Sequence, residues 1–389
     1  MQRIGAPAGA RVAGETFLHS MAQGGRAPGR GRRVVVVGGG IAGCAAAYYL
    51  ARAGASVTVV ERDAIASHAS GANAGNLNPL YRTPPALVPQ ALAALAQHLE
   101  LERELGRLGC ERYALQPAPR VHLATGATDR PHLEEIAQAF ARVPGFHATR
   151  LGRAELLRLE PRLGSDVAFG VAVTGNFAVD SGALTRALAD GACRLGGNLL
   201  TGAADGLTST GGRVTGVRLG ERVVPCDAAV FATGPWVSQV QSWLGVEIPV
   251  EPLKGELLLV RLDGGAPATD FHLGSAAVYR RGRDEVWIGG TAQRCGFEAA
   301  PTADARAALL EAAQGIMPTL RAAQVLRHVA ALRPVTPAGL PIAERAAGWE
   351  NAYIANGGGM KGVLFAATMA SALCGLVLGR DGHPMSPAR

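Results

Sequence analysis

Three glycines and one acid carry the clearest chemistry in this sequence. Gly38, Gly40 and Gly43 follow the apolar run Val34 to Val37, and Glu61 closes a second run, Val57 to Val60. Gly38 permits a tight turn, Gly40 lets backbone N–H groups approach a pyrophosphate, and Gly43 lets the next helix pack close to the strand. With Ile41 and Ala42 these residues open a helix whose N-terminal dipole favours phosphate. Glu61, followed by Arg62, falls about 20 residues on, where a carboxylate takes ribose hydroxyls. Among 52 glycines an isolated GxGxxG would mean little. Here strand, turn, Ala-rich helix, strand and acid come in the order that a dinucleotide-binding βαβ unit requires.

Further groups are spread along the chain. The small-polar loop at 67–79 returns over the ribose side, and Ser70, Gly71, Asn73, Ala74, Gly75 and Asn76 offer hydroxyl, amide and backbone donors there. A buried strand at 228–232 runs into Thr233-Gly234-Pro235-Trp236, a turn that lets backbone touch a nucleotide; Ala204 ends another strand-like piece and is assigned to the same ligand. Arg333 stands alone among prolines and apolar residues at 331–341, where a guanidinium needs a carboxylate, from a ligand or from the protein. Gly357-Gly358-Gly359-Met360-Lys361-Gly362 forms a glycine-rich turn into an apolar helix. Its N–H groups and Lys361 would stabilise negative charge on a reduced ring. Tyr279, with Arg280 and Arg281, lines a cavity mouth or else forms a solvated strand end, and His68 reads as a surface histidine.

Bulk properties exclude several classes. The 389 residues suffice for two domains and a large core, at 48% hydrophobic and 18% charged residues. Of the formal charge of +7, residues 1–33 supply +5, leaving +2 for the remainder with no basic block, so nucleic acid is not expected as a partner. That tail reads as disordered, has no secretory apolar stretch, and leaves Met21 as an alternative start. Six scattered cysteines without a CxxC fit a reduced, cytoplasmic protein without a metal site. The apolar run 363–378 is short for a membrane span and reads as a buried helix behind a cofactor.

The positioning elements follow from periodicity. Helices are expected at 86–108, 131–140, 154–163, 181–193 and 302–315, and strands at 121–124, 198–204, 213–219, 228–232, 255–262 and 284–291. In the closing section 329–337 is expected to pair with 351–356.

Together these pieces resemble the D-amino-acid oxidase superfamily of FAD enzymes, from about residue 33 to 379. The loop ASGANAGNLNPLY is similar to that of D-amino-acid dehydrogenases and to a tRNA-uridine modification oxidase. EPLKGELLLV, the Gly-Gly-Thr at 289–291 and ALRPVTPAGLP resemble glycine oxidases. The resemblance implies an α/β fold: a Rossmann-like FAD-binding domain from 33–83, 152–245 and 328–383, and an inserted α+β substrate domain with an antiparallel sheet from 84–151 and 246–327. It implies noncovalent FAD, with Ala331 where some members carry a flavin-linking cysteine. Arg333 would bind a substrate carboxylate, with Lys361 and Tyr279 completing the catalytic set. Ala277 replaces the tyrosine that glycine oxidases use near the substrate, and Ala338 an aspartate. The implied reaction is oxidation of the C–N bond of an amino acid or N-alkylglycine, with hydride passing to flavin N5 and the imine hydrolysed. A tRNA-uridine side-chain oxidase and a nonenzymatic FAD-binding protein are the alternatives; the electron acceptor, oxygen or another, stays open, as does a homo-oligomer.

Overall fold

The computed structural model describes residues 31–380. The expectations for the basic tail and for Met21 therefore lie almost wholly outside the described residues. Two large sheets organise the rest. The first has six strands in the order Ile342–Arg345, Ala352–Asn356, Ala228–Phe231, Arg33–Val37, Ser56–Glu61 and Asn198–Thr201. All are parallel except the Ile342–Arg345 edge. Alternation along Arg33–Val37 explains its central place. Val34 and Val36 point into a core with helices Ile41–Arg52, Ser181–Arg194 and Gly362–Leu378, while Val35 and Val37 pack on the opposite face. A strand buried on both faces must be apolar throughout, which is why it reads as VVVV.

Helix Gly362–Leu378 sits under this sheet. The segment Gly359–Leu378 is long and apolar enough to cross a membrane, but Leu364, Phe365, Met369 and Leu373 are buried in the core. Each such side chain contributes roughly 1.5–3 kcal/mol by leaving water. Its neighbour Val88–Arg107 packs against it, on the cofactor side of the molecule, although residues 84–108 were assigned to the substrate domain.

The second sheet has eight strands: Gln324–Val335, Glu251–Arg261, Glu285–Gly289, Ala276–Arg280, Asp270–Leu273, Arg120–Ala124, Phe169–Thr174 and His147–Gly152. Neighbours are antiparallel except Asp270–Leu273 with Arg120–Ala124. One face packs on helix Ala303–Ile316 through Phe271, Val278, Val286 and Ile288. Two expectations change here. Residues 329–337 do not form a ladder with 351–356: Gln324–Val335 pairs with Glu251–Arg261, and only the Val335–Gly358 bridge joins the two segments. The expected boundaries at 152 and 328 cut through the second sheet, because Phe169–Thr174 and Gln324–Val335 both belong to it. For Gln324–Val335 the antiparallel partner, Glu251–Arg261, lies far away in sequence, so no local pattern marks it.

Candidate active site

One cavity of about 860 Å³ runs between the two sheets. Its first half is built from backbone. Gly38 adopts a φ of +114°, and a Cβ there would lie 2.3 Å from the carbonyl oxygen of Ala232. The strand Arg33–Val37 can thus turn against its neighbour only with glycine at this position. Helix Ile41–Arg52 begins at Gly40, which has no side chain to cap it, and has no acid in its first turn, so its N-terminus faces the cavity with only Ile41 N met by a side chain. Glu61 accepts a hydrogen bond from Gly39 N at 2.5 Å, and Ser70 Oγ accepts one from Ile41 N at 2.9 Å. The two side chains thereby lock the turn that the glycines permit. Thr233 Oγ1 is buried on the same wall without a partner. The turn Gly357–Gly362 brings a second uncapped helix start to the other end of this wall, with Met360 exposed at its rim.

Most of the expected cofactor residues line this half: Gly38, Gly40, Ile41, Ala42, Glu61, Arg62, Ser70, Asn73 to Asn76, Ala204, Thr233, Gly234, Trp236 and 357–362. Gly43 and Gly71, expected to touch the cofactor, do not line the cavity, although Gly43 has the close packing expected of it. Their missing Cβ atoms leave room for Gly38 O and Ala66 O, at 2.0 and 2.2 Å, so both serve close backbone packing. Asn73 spends its side chain inside the loop, donating to Ala69 O and Ser70 O and accepting from Gly75 N. His68 contacts Asp63 at 2.7 Å and lies against Trp236.

The second half is built from side chains of the eight-stranded sheet. Arg333 projects from Gln324–Val335 across Gly255, where a Cβ would come within 1.9 Å of its Nη2. Its guanidinium donates to Thr291 O at 3.2 Å and has no carboxylate partner among the described residues. Burial lowers its pKa, yet an arginine stays charged at any ordinary pH, leaving a cation that lacks an anion. Thr291 is itself held by the buried strand beside it, since its Oγ1 accepts from Glu256 N at 2.5 Å. Glu256 accepts from Thr302 N and Oγ1 and pairs with Lys254 at 3.0 Å, both side chains fully enclosed. Burial would raise the Glu256 carboxyl, but these partners outweigh it and keep its pKa low.

Tyr279 lines the cavity as expected. Lys361 does too, with its ammonium donating to Asn78 O at 2.7 Å and Tyr81 O at 2.8 Å. Burial, with a smaller push from Arg120, lowers its pKa to about 7. The expectation that Lys361 stabilises charge on a ring is therefore joined by a second role, tying the end of the 67–81 loop to the last helix.

A polar cluster here escaped the sequence reading. Arg120 donates to Asp270 at 3.0 Å and to Asn76 Oδ1 at 2.8 Å, and is 2% exposed. His122 and His272 sit side by side, paired in register on adjacent strands, with ring centroids 5.2 Å apart. Tyr81 lies 4.5 Å from His122, and Tyr279 lies 5.3 Å from His272. Burial, reinforced by Arg120, pushes the pKa of His122 down to about 3 and that of His272 well below its usual value, so both rings are neutral. The available signal was alternation: Arg120-Val121-His122-Leu123 and Asp270-Phe271-His272-Leu273 each put polar residues on one face of a strand and apolar ones on the other.

The family model for FAD-dependent oxidoreductases named DAO matches residues 33–376. This chain belongs to the DAO family. A glycine oxidase of Pseudomonas aeruginosa is 30% identical over 376 residues, covering 92% of this chain and 98% of that relative. A D-amino acid dehydrogenase of Xanthobacter autotrophicus is 28% identical, covering 92% and 99%. The crystal structure of an iminodiacetate oxidase from a Chelativorans species superimposes with a TM-score of 0.83 at 26% identity, over 90% of this chain and 96% of that one. The DAO chain is accordingly an FAD-dependent oxidoreductase with a Rossmann-like domain, and its cofactor is FAD. The uncapped helix starts, the glycine cradle and the orphaned Thr233 hydroxyl on this chain fit such a group.

Proposed function

We propose that this enzyme oxidises the C–N bond of a small amino acid or N-alkylglycine, and that it does so with noncovalently held FAD. The single observation that carries the reading is Arg333, a half-buried guanidinium without a carboxylate partner among the described residues, facing the cavity across Gly255. A buried cation is costly unless paired, and a planar guanidinium matches a carboxylate bidentately. Bound FAD supplies the two-electron acceptor for hydride. Glu61 and the first turn of helix Ile41–Arg52 would hold its ribose and pyrophosphate, and the amides at 357–362 would lie against its ring. Arg333 would orient the substrate by its carboxylate, with Tyr279 and Leu257 also on the cavity wall. Orientation of this kind supplies much of the rate in a reaction that needs no covalent step to the protein. We assign no general base. Six free cysteines favour a reducing compartment, and we place the enzyme in the cytoplasm.

The test is anaerobic mixing of the FAD-loaded protein with glycine, sarcosine, other N-alkylglycines and D-amino acids, followed at the flavin absorbance. Bleaching by a member of this panel is the expected outcome. A flavin that dithionite reduces but no member of the panel does would refute the reading.

A further inference from the structure

Arg82, Arg333 and Lys361 line the cavity beside Arg120; Arg82 is exposed to solvent, and the Arg120 charge is paired with Asp270 at 3.0 Å. The two lining acids belong elsewhere: Glu61 accepts from Gly39 N, and Asp205 accepts from Gly220 N. Asp270 stands behind Arg120 rather than on the cavity wall. Arg82 occupies the left-handed region at φ +53°, uncommon for a side chain of its size, and its guanidinium lies 5.2 Å from the Tyr81 ring.

The same wall holds polar atoms that none of the described residues satisfies. His272 is 8% exposed and lines the cavity, yet its Nε2 has no hydrogen-bond partner. Asn78 Nδ2 and Arg120 Nε are likewise buried without partners. The rings run in sequence from Tyr279 to His272 at 5.3 Å and on to Tyr81 at 5.6 Å, with the Arg120 guanidinium 5.3 Å from the Tyr279 ring. Buried donors left without partners are the condition that a bound anion would relieve.

We propose that Tyr81, Arg120, His272 and Tyr279 form a second recognition subsite that takes a carboxylate at the far end of the substrate from Arg333. The preferred substrates are then dicarboxylic amines: acidic amino acids, or glycines carrying a carboxyalkyl group on nitrogen. The proposal deepens the function given above and rests on Arg333 holding the first carboxylate. A neutral His272 imidazole donates one N–H to the second carboxylate, and the Nε–H of Arg120, left without a partner by Asp270, donates another. A site built around buried hydrogen-bonding groups discriminates strongly against ligands that leave them unpaired.

The test uses the FAD-loaded enzyme and nonreacting ligands, at constant ionic strength, read by the shift they cause in the flavin spectrum. Acetate and propionate are compared with succinate and glutarate. Dicarboxylates are expected to bind at least about tenfold more tightly, the contribution of one charge-assisted hydrogen bond. His272→Phe keeps the ring volume and should abolish that preference while leaving monocarboxylate affinity in place; His272→Gln, which keeps an N–H donor, should restore part of it. Equal affinity of the two ligand classes for the wild-type protein overturns the subsite and leaves Arg333 in its role. A preference that survives His272→Phe overturns the assignment to this wall. Failure of every carboxylate to perturb the flavin overturns both the subsite and the reading of Arg333 on which it rests. The wild-type comparison decides the main point even if His272→Phe does not fold.

Discussion

In the cofactor half of the cavity the contacts come from backbone amides and missing Cβ atoms within a few contiguous segments. In the substrate half they come from charged and aromatic side chains that meet across strands far apart in sequence. Arg120 and Asp270 are neighbours only because Arg120–Ala124 and Asp270–Leu273 pair in parallel. Arg333 reaches Gly255 only because Gln324–Val335 lies beside Glu251–Arg261, with Leu253 opposite Arg333. Two consequences follow from this difference. The first half should fail all at once when its backbone is disturbed. The second should lose substrate recognition piece by piece while the cofactor stays in place.

The largest expected effect is on the first half. In Gly38→Ala the new methyl meets Ala232 O, and the backbone holds a φ of +114° that a side chain disfavours. The conformational term alone costs about 1–3 kcal/mol. The protein should purify without flavin absorbance and with a lowered melting temperature; retained FAD would break the comparison on that side.

Next comes Gly255→Ala, the counterpart in the second half. Its Cβ would collide with the Arg333 guanidinium, 1.9 Å away. Displacing the anchor by about an ångström should lower kcat/KM roughly 100-fold, while flavin absorbance stays at the wild-type level. Loss of FAD in this variant would mean that the two halves are not separable.

A smaller effect is expected for Glu61→Gln. The amide oxygen still accepts from Gly39 N, but the charge is gone, so FAD should bind roughly fivefold more weakly, the difference between a charged and a neutral hydrogen bond. Equilibrium dialysis of the variant measures this directly.

A further effect concerns pH. Lys361 has its ordinary value of 10.5 in the unfolded chain and about 7 in the folded protein. Between these values the unfolded chain binds more protons, so this residue makes the protein more stable as pH rises from 7 to 10.5. Lys361→Met should flatten the melting temperature across that window relative to wild type. It should also remove any step near pH 7 from the rate of flavin reduction.

The same contrast explains what was legible in the sequence. The βαβ unit, the Thr233–Trp236 turn and the glycines at 357–359 were readable because each is a local pattern whose residues serve one backbone geometry. The helix Ser181–Arg194 was marked in the same way by Asp180, whose side chain accepts from Ala183 N at 3.0 Å. Arg333 was visible as a lone charge in an apolar stretch. Arg120, His122 and His272 were missed because each looks ordinary within its own strand, and only the register between distant strands makes a cluster of them. The mistaken pairing of 329–337 with 351–356 has the same origin: proximity in sequence suggested a hairpin, whereas the long strand Gln324–Val335 finds its partner some eighty residues earlier, in Glu251–Arg261.

The central claim is that FAD is held by one half and the substrate carboxylate by Arg333 in the other. The most direct measurement is the visible spectrum of Arg333→Met, purified with FAD and then mixed anaerobically with the amine that bleaches the wild-type flavin fastest. The account predicts wild-type flavin absorbance and a rate of bleaching at least about 30-fold lower at subsaturating substrate, the loss expected when one member of a buried charge pair is removed. Wild-type bleaching in Arg333→Met would contradict it.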